Sequence, residues 1–261
     1  MTAEIQTQLL ELEAQEGVKI LYACESGSRA WGFPSEDSDF DVRFIYLRPL
    51  DWYLSIDLEH KRDVIERPIS DQLDISGWDL RKALGLFYKS NPPLLEWLGS
   101  PIVYLEPYST AAKMRELAKT FYSAKACMYH YRHMAEGNYR EYLRGETVWI
   151  KKYFYVLRPI LAIRWLGRGL GVVPTEFEKL VAEIVDDAQL RSDIDNLTKQ
   201  KRRGVELERG PRVPSISNFI DAEIERLSGQ TFDAYARKPD KEVLSAFFRE
   251  TLSEVWGQGV T

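Results

Sequence analysis

Cysteine is nearly absent: Cys24 and Cys127 are the only two in 261 residues. That excludes a disulfide framework, two thiols alone cannot build a structural zinc site, and a reducing compartment is expected. Histidine is scarce as well, with three in the chain. His130 and His133 fall on one predicted helix, but no second motif of that kind accompanies them, so a partly buried or surface position is expected rather than a metal site. No long run is free of charge. The most apolar stretch, Tyr153 to Leu166, contains Arg158, Pro159 and Arg164, which argues against a membrane span. The start, Met1-Thr-Ala-Glu-Ile-Gln6, lacks the basic-then-apolar pattern of a signal peptide. The expectation is a cytoplasmic protein without membrane association. An excess of positive charge is also missing: the net charge is -5. Composition therefore does not advertise a nucleic-acid binder, although a basic groove can sit on an acidic protein. What remains is ordinary globular usage, 44% hydrophobic and 29% charged, enough for one large domain or two small ones.

The periodicity changes along the chain. Ile5, Leu9 and Leu12 share a helical face that Gly17 stops. Val18 to Cys24 is a compact apolar run suited to a buried strand, and residues 40–46 alternate as a second strand until Arg48-Pro49 breaks it. Val64 to Arg67 and Gln72 to Ser76 are short strand candidates. Asp79 to Tyr88 turns helical, and Asn91-Pro92-Pro93 ends that helix and opens the next. From about Ser109 the pattern is mostly helical. One long helix is expected over 111–134, and another over 146–166, kinked near Pro159. Thr175 is expected to cap a helix to about Asp186. Further helices are expected over 190–203, 217–227 and 240–256, with a loop at 209–214. The outline is an α/β half, residues 1–106, followed by an all-helical half, residues 107–261.

Gly27-Ser28 follows the first strand, and Asp39-Phe40-Asp41 opens the second. On a strand, residues two apart point to one face. Asp39 and Asp41 can thus reach one set of hard cations while Phe40 and Val42 enter the core. Carboxylate oxygens suit Mg²⁺, which is commonly shared with substrate phosphates. Gly27 permits close backbone approach, and Ser28 offers a hydroxyl and an N–H to a phosphate. Arg43 has the parity of the two aspartates, so it either meets a phosphate or pairs with a nearby carboxylate. Arg29 is a second candidate for phosphate. Trp31 and Phe33 either line a nucleoside pocket or pack in the core, and core packing is the expectation.

This pattern resembles the nucleotidyltransferase superfamily typified by DNA polymerase β. More closely, Glu25-Ser-Gly-Ser-Arg-Ala-Trp-Gly-Phe33 with Ser38-Asp-Phe-Asp-Val-Arg43 resembles the nucleotidyltransferase family linked to RNA repair and found with RNA ligases. Leu73 to Lys82, Lys89 to Pro101, and Lys151 to Pro159 fit that family too, so the resemblance spans roughly residues 18 to 166. It implies an α+β fold: a polymerase-β-like mixed sheet with helices on one side, then a helical domain. It also implies two Mg²⁺ ions, with Mn²⁺ as a substitute, and a nucleoside triphosphate substrate. The third carboxylate would come from a later strand. Asp74 is the first choice, ahead of Asp79, which suits a helix N-terminus, and of Asp71. In relatives, a lysine of the helical domain reaches the triphosphate. Lys152 is the first choice here and Lys151 the second.

The implied activity is transfer of NMP to an acceptor hydroxyl, an RNA 3′ end in the leading reading, with an RNA ligase as a pathway partner. One alternative keeps the chemistry and changes the acceptor to a small molecule or a protein side chain. A second is a catalytically silent nucleotide or RNA sensor. The basic run Lys199-Gln-Lys-Arg-Arg203 either tracks a nucleic-acid backbone or, as is commoner, complements a helix dipole.

Overall fold

The computed structural model describes residues 1–69, 72–204, 207–232 and 239–257. In chain order the elements are α1 (Thr2–Glu16), β1 (Lys19–Glu25), α2 (Gly27–Trp31), β2 (Phe40–Leu47), α3 (Leu50–Tyr53), β3 (Val64–Glu66), β4 (Leu73–Asp79), α4 (Leu80–Tyr88), α5 (Pro92–Leu98), β5 (Val103–Leu105), α6 (Thr110–Phe121), α7 (Ala124–Tyr142), β6 (Thr147–Trp149), α8 (Lys152–Gly167), α9 (Phe177–Ile184), α10 (Ala188–Arg202), β7 (Arg209–Pro211), α11 (Pro214–Leu227) and α12 (Lys241–Trp256). They form two compact units. One comprises residues 1–27, 39–122 and 237–261, and the other comprises residues 28–38 and 123–236.

The first unit is built on a five-stranded mixed sheet of order β3-β4-β2-β1-β5. β1 pairs antiparallel with β2 and β5, and β2 runs parallel to β4. Alternation sends Val42, Phe44 and Tyr46 of β2, with Leu73 and Ile75 of β4, onto one face, where Ile5, Leu9 and Leu12 of α1 bury them. Gly77 stands opposite Phe44 in the parallel register, and a Cβ there would lie 2.3 Å from the Phe44 ring, so the ring fills the place of a side chain. The other face is covered too. Trp78 stacks on Trp97 of α5 at 3.9 Å, and the Tyr22 hydroxyl donates to the Trp97 carbonyl at 2.7 Å. Helices therefore lie on both faces of the sheet, not on one as the resemblance implied. Opposite-parity apolar residues on central strands need cover on both sides.

Helix starts follow local chemistry. The Asn91 side chain accepts from the Leu94 amide at the start of α5, with Pro92 in the first turn. Asp79 ends β4 and caps α4, accepting from the Arg81 amide at 2.8 Å. Its second oxygen accepts from the Tyr53 hydroxyl at 2.7 Å, and the carboxyl is 1% exposed. Burial pushes Asp79 up to about 6, against the hydrogen bonds from Tyr53 and the Arg81 amide. A carboxyl raised in the folded state favours folding while protonated, and that contribution fades as pH rises through 6. Asp79→Asn keeps one acceptor oxygen, which can cap the Arg81 amide, and turns an NH2 toward Tyr53, a loss that does not depend on pH. Its stability relative to the parent is expected to rise by about 2–3 kcal/mol between pH 4 and pH 7.5, at 1.36 kcal/mol per pKa unit. Urea unfolding of both chains across that range measures it, and a pH-independent difference would refute it.

In the second unit α8 is buried along most of its length and packs on α7, α9 and α11. Its Phe154 stacks on Phe33 at 4.5 Å, and the Tyr153 and Ser217 hydroxyls are 2.6 Å apart. Burial alone would raise the Glu223 carboxyl, but the Arg164 and Arg226 guanidiniums hold it down at about 2. The helix expected over 111–134 is two, α6 and α7. Ser123 breaks it, its side chain accepting from the Ala126 amide. Residues 147–149, expected in a helix, and 209–211, expected in a loop, pair instead as the antiparallel ribbon β6-β7. Residues so far apart in sequence leave no local periodicity, so the helical half carries a small sheet. The N-cap position of α9 is held by Glu176 rather than Thr175, without a side-chain capping bond. The division drawn at residue 106 and the compact units cut the chain differently: α6 and α12 fall in the first unit.

Candidate active site

β1 ends where β2 and β4 begin, and polar side chains gather at that end of the sheet. β1 finishes on Glu25, and the chain turns through Ser26, whose amide donates to the Asp41 carbonyl at 2.8 Å. Gly27 follows at φ 56°, in the left-handed region. A Cβ on Gly27 would sit 1.9 Å from Asp41 Oδ2, so glycine is what lets the turn lie against that carboxylate. Gly27→Ala is expected to displace the turn or Asp41. That should slow turnover about 10²-fold, the scale of a 1 Å misplacement. The left-handed backbone adds about 1–2 kcal/mol of destabilisation. Rate assays and thermal melts check this, and wild-type turnover would contradict it.

Asp41 and Asp74 are register partners on the parallel pair β2-β4. Neighbouring strands lie roughly 4.8 Å apart, so the two carboxylates stand side by side. Arg43 bridges them: Nη2 donates to Asp74 Oδ2 at 2.7 Å and to Asp41 Oδ1 at 3.2 Å, while Nη1 donates to the Asp74 and Val42 carbonyls. Arg43 is thus ion-paired with both carboxylates. Both carboxylate side chains are 29% exposed, open enough for a ligand. Asp39 is exposed just before β2 begins. Asp79 lies at the far end of β4, committed to α4 and Tyr53. Asp71 falls outside the described residues.

The sequence pattern treats Asp39, Asp41 and Asp74 as one metal-binding set. Among the described residues, however, no three His, Cys, Asp or Glu side chains converge as a group able to hold an ion. Arg43 supplies the positive charge between Asp41 and Asp74, and Asp39 precedes the strand. The donor set nevertheless fits Mg²⁺. It is all oxygen, and one or two carboxylates plus substrate phosphates are the usual protein contribution to magnesium.

Glu25 is the residue the sequence pattern passed over. It is 0% exposed. Its Oε1 accepts from the Asp41 amide at 2.7 Å, and the Tyr104 hydroxyl donates to its Oε2. The Ser100 hydroxyl donates to its carbonyl at 2.6 Å. A side chain thus takes the place of the next ladder acceptor for Asp41. The signal in the sequence was an acid closing an apolar strand directly before Ser-Gly-Ser.

The remaining candidates belong to the second unit, beginning with Ser28 and Arg29 in α2. Arg29 donates to the Ser38 carbonyl at 2.7 Å and ties the ends of the 28–38 loop together. Lys201 donates to Ser35 Oγ, and Arg202 to the Gly32 carbonyl, so part of the basic run secures the same loop. Phe33 is core. Trp31 meets Tyr155 edge-on at 5.6 Å and lines a cavity of about 170 Å³ with Phe177 and Arg202. Lys151 precedes α8 and is exposed. Lys152 Nζ lies 4.2 Å from the Tyr142 ring centroid and 4.7 Å from that of Tyr155. His130 and His133 are exposed.

Comparison with known proteins decides the family. The model of RlaP, the RNA repair pathway DNA polymerase beta family, matches residues 1–250. The chain belongs to this family. The match extends well past residue 166, where the recognisable sequence resemblance ended, and takes in most of the helical elements. The Bacillus subtilis (strain 168) protein YcgL, described as uncharacterized, is 50% identical over 260 residues, 99% of each chain. A crystallised nucleotidyltransferase-like protein from Exiguobacterium sibiricum 255-15 aligns over 97% of this chain and 90% of its own, at 9% identity and a TM-score of 0.33, too loose a likeness to bear on the site. Membership in the RNA repair pathway DNA polymerase beta family gives the class of chemistry, nucleotidyl transfer of the polymerase β type. Among the described residues, no helix is long and apolar enough to cross a membrane.

Proposed function

We propose that this chain is a Mg²⁺-dependent nucleotidyltransferase that moves NMP from a nucleoside triphosphate to the 3′ hydroxyl of an RNA, acting in the cytoplasm in the same pathway as an RNA ligase. The observation that carries the proposal is the register pair Asp41–Asp74 beside a turn whose Gly27 leaves no room for a side chain. Asp41 and Asp74, with Asp39 at the strand mouth, would hold the divalent ion. When bound, the ion neutralises phosphate charge and lowers the pKa of the acceptor hydroxyl. The Gly27-Ser28 turn presents backbone N–H groups to the triphosphate. A carboxylate oxygen of Asp74 takes the acceptor proton. The acceptor oxygen bonds to the α-phosphorus, the bond from that phosphorus to the bridging oxygen breaks, and pyrophosphate leaves. Arg43 keeps the two carboxylates together, and its guanidinium offers a cation beside them to a phosphate oxygen.

Each labelled NTP is incubated with Mg²⁺ or Mn²⁺ and a panel of RNA 3′ ends, small hydroxyl compounds and protein. A lengthened RNA is the expected product. Label confined to a small molecule or a protein would overturn the RNA acceptor, and NTP binding without turnover on any acceptor would overturn the transfer itself.

A further inference from the structure

Outside the carboxylate site, the first unit has a groove between α4 and α12 with a volume of about 480 Å³. Arg81 stands on α4 and Lys89 caps its C-terminus, Lys241 and Arg249 stand on α12, and each pair frames apolar residues. On each helix the two cations are separated by eight positions, roughly 12 Å at helical rise. Among the described residues, no acidic side chain lines the groove. Arg249 pairs with Glu242, whereas no ion pair among the described residues involves Arg81, Lys89 or Lys241. The floor is aromatic as well as aliphatic. Tyr88 and Phe248 line it, and Lys241 Nζ lies 4.9 Å from the Tyr88 ring centroid. Gly85 is exposed in the middle of α4, and a Cβ there would meet nothing within 4 Å. A mid-helix glycine costs roughly 1 kcal/mol relative to alanine. A side chain at this position would project into open space beside the groove.

Cations at the corners, aromatic rings between them and no acid in the lining match a flexible polyanion that carries flat apolar groups. Basic grooves with aromatic faces are how single strands are held without sequence preference. We infer that this groove binds a single-stranded stretch of RNA, with backbone phosphates at Arg81, Lys89 and Lys241 and a base against Tyr88. The inference rests on RNA as the acceptor and adds a second contact surface for it, built from helices that carry none of the aspartates of the sheet end.

The test is equilibrium binding of a labelled 12-nucleotide single-stranded RNA, followed by fluorescence anisotropy without NTP or divalent metal. The parent chain is compared with Arg81→Glu/Lys241→Glu and with Gly85→Phe, each checked by circular dichroism and thermal melting. The charge reversal is expected to weaken binding at least tenfold. It should also flatten the plot of log affinity against log salt by about 1.4, at 0.7 per phosphate contact on a single strand. Gly85→Phe keeps every cation and fills the groove, so it is expected to weaken binding several-fold. Parent-like binding by the folded charge reversal would overturn the assignment, as would displacement of the RNA by polyglutamate of equal charge. The outcomes separate the two readings. Groove-dependent RNA binding by a chain that never transfers a nucleotide leaves the groove standing and removes the transferase. Transfer that is indifferent to the groove variants does the reverse.

Discussion

Asp41→Asn is expected to slow nucleotidyl transfer by about 10³-fold, the upper end of what one preorganised electrostatic group contributes, without unfolding the chain. Asparagine keeps the shape of the side chain and removes the charge. Arg43 retains its 2.7 Å contact to Asp74 and its donation to the Asp74 carbonyl. The lost contact to Arg43 is the longer of the two, 3.2 Å, and partly exposed. Stability should therefore move by no more than about 1 kcal/mol. Asp39→Asn tests the exposed carboxylate in the same way, and near-total loss is expected there too. Single-turnover rates with labelled NTP, set beside melting curves, separate loss of chemistry from loss of fold. A folded Asp39→Asn chain with undiminished turnover would sink the mechanism.

Glu25→Ala is expected to cost about 2–4 kcal/mol of stability and most of the activity. The carboxylate is fully buried, and its loss strands two donors, the Asp41 amide and the Tyr104 hydroxyl. An unsatisfied buried polar group costs about 1–3 kcal/mol. Glu25→Gln keeps one acceptor oxygen and offers an amide where the second oxygen was, so it can serve one donor and not both. Its stability loss should be smaller. Since the Asp41 backbone hangs on this side chain, kcat of folded Glu25→Gln is expected to fall while the KM for NTP moves little. Urea unfolding gives the first quantity and steady-state kinetics the second. Full kcat in the folded Glu25→Gln chain would make Glu25 a purely structural residue.

Much of the catalytic sheet was legible because its rules are local. Val18 to Cys24, residues 40–46 and the short runs near 64–67 and 72–76 all appear as strands within a few residues of expectation. Asp79 reads as a helix-opening residue, and it caps α4. Other features depended on partners distant in sequence. The ribbon β6-β7 pairs residue 147 with 211, and no periodicity within either segment announces the other. The break at Ser123 is set by a single side chain that caps the start of α7, a signal that the apolar spacing does not carry. Arg43 had two readings of equal parity, phosphate ligand or ion pair. Asp41 was within reach by strand parity alone, whereas the pairing with Asp74 depended on β2 running parallel to β4.

The sequence by itself placed Gly27-Ser28 after the first strand and Asp39-Phe40-Asp41 at the start of the second. Alternation and turn chemistry act over a few residues and survive without tertiary context. Only the tertiary structure decided what surrounds them. Parallel pairing set Asp74 beside Asp41, a long-range turn brought Gly27 within a side chain's width of the same carboxylate, and burial turned Glu25 into the acceptor for its amide. Those are properties of strand order and register, which backbone hydrogen bonds and core packing fix for the sheet as a whole and which no short segment encodes alone.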